Sequence, residues 1–216
     1  MKSQLPHKTW LFDLDNTLHN ASAQIFPQIS RSMMAYMCEH LELDEQEANR
    51  LRLHYWRRYG ATLLGLMRHH GTDPGHFLHH THQFANLPGM VVAERGVKAM
   101  LQRLPGRKIL FSNAPRVYCE TVLDVIGIRP CFDAVYTVER LRYQPKPSLG
   151  GFRRLLRGER LDPRRCIMVE DTLHNLVTAK RLGMKTVWVS ACTRCPPCAD
   201  VRVGSVLDLP GRLGKL

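Results

Sequence analysis

Short runs of continuously apolar residues alternate, along most of this 216-residue chain, with stretches whose apolar positions recur every third or fourth residue. The first run, Trp10-Leu11-Phe12, predicts a buried strand. The next strand-like run comes only near residue 108, too long a gap for an unstructured loop in a compact domain. Helical patterns fill it. Ile25, Ile29, Met33, Met37 and Leu41 make one stripe. Asp44 predicts an N-cap, with Glu45 and Glu47 in the first turn, Arg57 and Arg58 in the last and Gly60 as the stop. Two shorter helices are predicted over 62–70 and, after Asp73-Pro74, over 76–85, and Leu87-Pro88-Gly89 closes the insert.

Beyond the insert, strand and helix alternate. Val97, Met100, Leu101 and Leu104 form a helix face that Pro105-Gly106 ends, and residues 108–111 form a strand. A helix starts at Pro115 with Tyr118, Val122, Val125 and Ile126 inward, and 132–136 is a strand. Leu149, Phe152 and Leu156 line a helix; 166–169 is a strand; Leu173, Leu176 and Val177 mark a helix that Gly183 terminates; and 186–189 is the last clear strand. This rhythm predicts an α/β fold, a Rossmann-like parallel sheet with helices on both faces. It carries a small all-helical cap at 20–87, inserted into a core of 1–19 and 88–216.

Composition narrows the setting. Hydrophobic content of 44% and charged content of 23% are ordinary for a globular chain. Lys2 is followed by no apolar run long enough for a signal peptide, and no stretch approaches a membrane span, so a cytoplasmic location and no membrane partner are expected. Seven cysteines, an odd number with Cys38, Cys119, Cys131 and Cys166 inside apolar segments, fit a reducing compartment. The formal net charge is +12, a field that attracts anions. The Arg and Lys residues are scattered, which reads as a solvated face rather than a nucleic-acid footprint.

The polar signals fall at strand ends, where ligands bind in parallel sheets. Asp13 and Asp15 follow the first strand at i and i+2, on one side of an extended chain, and their mutual repulsion calls for a hard cation, Mg²⁺ first. Ser112 and Asn113, just ahead of Pro115, offer a hydroxyl and free N–H groups suited to phosphate. Lys146, between Pro145 and Pro147, is displayed on a stiff segment and can neutralise a phosphoryl group. Glu170 and Asp171 add two carboxylates. Each alone has a plainer reading, as a turn, a helix cap or one exposed lysine among many. Together, in this order and each at a strand end, they are hard to assign to chance and predict one site.

The series Asp13-Leu-Asp15-Asn-Thr17, Ser112-Asn113, Lys146-Pro147 and Val169-Glu170-Asp171 resembles the four motifs of the haloacid dehalogenase-like hydrolases, and 20–87 looks like the helical cap of their first subclass. The stretches 59–66 and 169–176 are similar to the pyrimidine 5′-nucleotidase branch. The resemblance implies that Asp13 is a nucleophile that takes up phosphorus and Asp15 a general acid and base. Mg²⁺ would be held by Asp13, Asp171, the Asp15 backbone carbonyl and, directly or through water, Glu170. Ser112, Asn113 and Lys146 would bind the phosphoryl oxygens, with Thr17 and Asn175 as supports. Dehalogenases of that superfamily lack the second acid, so Asp15 favours phosphate esters. The implied activity is a phosphomonoesterase acting on nucleoside 5′-monophosphates, as a monomer or homodimer. Another small-metabolite phosphatase or phosphomutase, for phosphoglycolate or a sugar phosphate, is the alternative, and a non-enzymatic anion-binding module is the reading from a different class.

In the cap, Tyr55, Trp56 and Tyr59 offer faces for a base, although their spacing equally suits packing of the cap's own core. His76, His79, His80 and His82 lie at helical spacing with no acidic or cysteine partner nearby, and read as a solvated helix rather than a zinc site. Cys192, Cys195 and Cys198 give three thiols and no evident fourth ligand, and read as a turn after the last strand.

Overall fold

The computed structural model describes residues 8–216. Residues 1–7, with Lys2, were assigned to the core from the sequence and lie outside the described residues. Strand β1 (Thr9–Phe12) is buried throughout because both its faces are covered: Trp10 and Phe12 enter one apolar cluster and Leu11 the other.

The chain then leaves the sheet for four helices. Helix α1 (Ile25–Leu41) carries the expected stripe, but the stripe serves two bodies. Ile25 and Ile29 pack into the sheet-side cluster and Met37 into a separate cap cluster, with Met33 touching both. Helix α2 (Glu45–Tyr59) begins at Asp44, whose carboxylate accepts from the Glu47 N–H at 2.8 Å, and ends at Gly60 with φ +82°. A Cβ at Gly60 would lie 2.3 Å from Pro147 Cδ, so this end of α2 is pressed against the segment that carries Lys146. Helix α3 (Thr62–His70) follows, then α4 (Pro74–Thr81), capped by Asp73. Met37, Leu66 and Phe77 are fully buried among these helices, and each such burial contributes roughly 1.5–3 kcal/mol.

A one-turn helix α5 (Leu87–Met90), capped by Asn86, and α6 (Val97–Arg103) return the chain to strand β2 (Lys108–Phe111) beside β1. Helix α7 (Arg116–Ile126) leads to β3 (Ala134–Tyr136), and α8 (Leu149–Gly158) to β4 (Cys166–Glu170) on the other side of β1. Helix α9 (Leu173–Arg181) precedes β5 (Lys185–Val189), and β6 (Val201–Val203) closes a six-stranded parallel sheet of order β3-β2-β1-β4-β5-β6. Helices α6 and α7 cover the Trp10 and Phe12 face, while α8 and α9 cover the Leu11 face. The strand order reverses at β1, which opens a crevice at its carboxyl end.

Several local expectations are corrected. Val125, Leu149 and Leu173 point to solvent; Val122, Phe152 and Leu176 carry the burial on those helices. Residues Arg129–Cys131 form a 3-10 turn, which holds Phe132 and Asp133 out of the strand. Pro115 is the N-cap of α7 rather than part of its first turn. The helix expected over 76–85 starts at Pro74 and stops at Thr81. Strand β6 and the 3-10 helix Val206–Lys215, opened by a Ser205–Asp208 capping box, were not foreseen, because Val201-Arg202-Val203 is too short to show a period. Among the described residues, no helix is long and apolar enough to cross a membrane.

Gly65 on α3 abuts the Tyr55 ring of α2, and a Cβ there would fall 2.0 Å from Tyr55 Cγ. Gly65→Ala should therefore cost about 1–3 kcal/mol of stability in urea titrations. The control Gly211→Ala, with nothing within 4 Å of its added Cβ, should change it by less than about 0.5 kcal/mol. Equal stability of the two variants would show that α2 and α3 are not packed this closely.

Candidate active site

At the end of β1 the chain turns. Leu18 N–H bonds the Leu14 carbonyl at 2.9 Å, and Asn16 adopts φ +59°, its carboxamide tied to Ser22. The carboxylates of the two aspartates take different partners. Asp13 Oδ1 accepts from Lys146 Nζ at 2.6 Å. Asp15 Oδ1 accepts from the Tyr118 hydroxyl at 2.5 Å and lies 2.8 Å from His19 Nε2.

Lys146 is 1% exposed and bridges Asp13 to Glu170, whose Oε2 lies 2.7 Å from Nζ. Its backbone is clamped at both ends of the amide of Asn113: Lys146 N–H donates to Oδ1 at 2.8 Å, and Nδ2 donates to the Lys146 carbonyl at 2.9 Å. Thr178 Oγ1 holds the Pro147 carbonyl at 2.9 Å. Glu170 is held in turn by Asn175 Nδ2 at 3.0 Å and the Thr172 N–H at 3.1 Å. Asp171 takes the Thr172 hydroxyl at 3.2 Å, and its carbonyl accepts from Trp188 Nε1 of β5 at 2.8 Å. Ser112 is buried at the end of β2, where its Oγ accepts from Ala114 N–H.

One carboxylate oxygen from each of Asp13, Glu170 and Asp171 lies within 4.8 Å of the others. Three carboxylates face a single ammonium. Burial, reinforced by the Glu170 charge and opposed by Lys146, pushes the Asp13 carboxyl up to about 7. Burial does the same to Glu170, to about 7 against the pull of Lys146, and Asp171 is raised by burial and the Asp13 charge. Burial alone would lower Lys146, yet its two carboxylate partners outweigh that and hold it above its ordinary value. An all-oxygen group with surplus negative charge fits a hard divalent cation. Thr17 Oγ1 is buried without a hydrogen-bond partner among the described residues.

Asp13, Asn113, Lys146, Glu170, Asp171 and Asn175 meet here, and the Asn113 carboxamide bonds the Lys146 backbone through both its oxygen and its nitrogen. His19 and Tyr118 were not anticipated as polar members: Tyr118 showed only as an inward helix position, and His19 stands on no period. Burial and then the Asp15 charge keep the Tyr118 phenol well above its usual range, so it stays a donor. From the cap, the His82 ring stands 6.0 Å from that of Tyr118, and burial lowers its pKa to about 4.

The cap aromatics divide. Tyr55 is 5% exposed, its hydroxyl 2.9 Å from His70 Nε2, so it packs the cap core and offers no face to a base. Tyr59 is half-buried, 2.7 Å from His69 Nε2 and under the Arg68 guanidinium, while Trp56 is 56% exposed one turn before Gly60. The thiols of Cys192, Cys195 and Cys198 do not gather into a metal-sized group; Cys195 Sγ faces the Ala199 carbonyl and Cys198 packs against the second core cluster.

Comparison with known proteins agrees with this architecture. The family model described as haloacid dehalogenase-like hydrolase matches residues 10–189. The chain belongs to that family. Phosphate metabolism protein 8 of Saccharomyces cerevisiae is 25% identical over 137 residues, covering 59% of this chain and 42% of that protein, so the chain spans less than half of that relative. Among solved structures, a HAD phosphatase from Thermococcus onnurineus superposes with a TM-score of 0.67 at 20% identity, over 96% of this chain and 98% of that one. The L-2-haloacid dehalogenase of Xanthobacter autotrophicus superposes with a TM-score of 0.62 at 16% identity, over 97% and 99%. At such identities these likenesses concern the fold.

The carboxyl shifts have a consequence for stability. Asp13 and Glu170 titrate near 7 when folded and near 4 when unfolded. The folded state therefore holds more protons between those values, and stability falls as pH rises through this window. In a chelator, the urea midpoint should be higher at pH 6 than at pH 8. Added Mg²⁺ should raise it more at pH 8, where the carboxylates are free. A midpoint that climbs from pH 6 to pH 8 in chelator would contradict the crowding of these charges.

Proposed function

We propose that the chain is a Mg²⁺-dependent phosphomonoesterase that works through a phosphorylated Asp13, with pyrimidine nucleoside 5′-monophosphates as its substrates. The observation that carries this reading is the division of labour between the first two aspartates. Asp13 sits with Lys146, Glu170 and Asp171. Asp15 is held instead by Tyr118 and His19.

Asp13 attacks phosphorus as the ester P–O bond breaks, and Asp15 gives its proton to the departing alkoxide. A water then attacks the same phosphorus and loses its proton to Asp15. Phosphate departs and the Asp13 carboxylate is regenerated. Magnesium, held by Asp13, Asp171, the Asp15 carbonyl and Glu170 directly or through water, would offset charge on the phosphoryl oxygens. Lys146 and Ser112 bind those oxygens. Asn113 acts through its clamp on Lys146, while Thr17 and Asn175 support the turn and Glu170. Residues 20–87 cap this site, with Trp56 and Tyr59 as the aromatic faces available to a base. The positive field of a chain with net charge +12 steers the anionic substrate to the crevice. The setting would be cytoplasmic, for a monomer or homodimer.

The dehalogenase alternative has no use for a second acid, and a pure binding module has no use for a nucleophile beside one. Asp13→Asn should abolish phosphate release from an aryl phosphate, at least 10³-fold, with an unchanged circular dichroism spectrum; substantial retained activity would remove Asp13 from its role. Chelation should stop turnover, and Mg²⁺ should restore it. Across UMP, CMP, AMP, phosphoglycolate and sugar phosphates, kcat/KM should be highest for UMP or CMP. A higher value for phosphoglycolate or a sugar phosphate would overturn the nucleotide assignment and leave the phosphatase reading standing.

A further inference from the structure

Away from the acidic crevice, the cap gathers a second set of metal-ligand side chains. His40 lies in the last turn of α1, and His76 and His80 lie at i and i+4 on α4. The helical spacing brought out His76, His79, His80 and His82 and read as a solvated helix; the packing of α1 against α4 adds His40 to His76 and His80. One ring nitrogen from each of the three lies within 4.8 Å of the others. The ring centroids of His76 and His80 are 4.3 Å apart, with His40 at 5.1 and 5.7 Å from them.

Two further features suit a metal. The Tyr36 hydroxyl lies 2.9 Å from His76 Nδ1. In the tautomer whose Nδ1 proton this hydroxyl accepts, Nε2 is left with its lone pair free for a metal, the outer support that metal-bound imidazoles commonly have. Glu39 Oε2 stands 3.9 Å from His40 Nε2, leaving a carboxylate at the rim. All three imidazoles are exposed, so an ion can enter from solvent. A tetrahedral ion with metal–nitrogen bonds of about 2.0–2.1 Å needs its nitrogens ~3.4 Å apart. From within 4.8 Å of one another, the nitrogens would have to close by no more than ~1.4 Å to reach this.

We propose that His40, His76 and His80 form a binding site for a borderline divalent transition-metal ion of the Zn²⁺ type, with an open fourth position, that staples α1 to α4. Nitrogen donors separate it chemically from the oxygen-only crevice, which takes hard cations. It stands independently of the phosphatase reading. Because α1 also packs into the sheet-side core through Ile25 and Ile29, an ion here would fix the far end of the helix shared by cap and core.

The test uses untagged full-length protein in which Cys192, Cys195 and Cys198 are replaced by serine. Zn²⁺ binding is measured by competition with a chromophoric chelator, and Co²⁺ is followed by its visible absorption. One equivalent of Zn²⁺ should bind, Co²⁺ should give the intense bands of a tetrahedral site, and Zn²⁺ should raise Tm. His40→Ala and His80→Ala should each weaken binding by more than about 100-fold and lose the bands and the Tm shift. Asp171→Asn should retain all three. Wild-type affinity in either histidine variant, or tight Zn²⁺ binding that vanishes with Asp171→Asn, would overturn the proposal.

Discussion

The ammonium of Lys146, with no access to water and a carboxylate on either side, is the contact on which the site's geometry depends. It ties the end of β1, through Asp13, to the end of β4, through Glu170, from a segment that belongs to neither. Breaking such a pair by removing one partner leaves an unpaired buried charge, at a cost of about 3–5 kcal/mol. The surrounding chain is arranged to keep the ammonium in place. Asn113 clamps its backbone, Thr178 holds the next carbonyl and Asn175 steadies Glu170. Without this cation, the burial that pushes both carboxyls upward would oppose their ionisation with less compensation.

That same segment joins the cap to the core. Gly60 at the end of α2 touches Pro147, and Val138 lies within the cap's apolar cluster with Tyr143 packed against it. Helix α1 makes the second link, its first half packed over the sheet and its second half inside the cap. Contact from α2 therefore reaches the backbone beside the buried ammonium with one residue between. A left-handed turn and the absence of a side chain at Gly60 are both needed for that approach. The chemistry at the strand ends and the helices above them are thus one mechanical unit.

Much of this was legible in the sequence, for physical reasons that also explain the gaps. Strands such as Cys166–Glu170 are continuously apolar up to their last residue because both faces are covered, and helices such as α2 carry their own caps. The polar residues of the site stood out because they break apolar runs at strand ends. Tyr118 was visible only as a helix position, and its hydroxyl bond to Asp15 spans over a hundred residues of chain. Asn113 suggested a phosphate ligand, since nothing local reveals that its carboxamide would meet the Lys146 backbone. His40 could be joined to His76 and His80 only by the packing of two helices. Val125, Leu149 and Leu173 were placed inward from apolar character alone, and a lone apolar side chain on a helix flank is equally stable in solvent when its neighbours already fill the core.

The central claim is that Asp13 takes up phosphorus while Lys146, with a Mg²⁺ ion that the other carboxylates would hold, balances the charge. The most direct measurement is rapid acid quenching of the enzyme during turnover of UMP with Mg²⁺, followed by peptide mass mapping. A mass increase of one phosphoryl group on the peptide containing Asp13, removable by hydroxylamine, is the expected result. Phosphate release at full rate with the label on another residue, or on none under conditions where the intermediate should accumulate, would contradict the account.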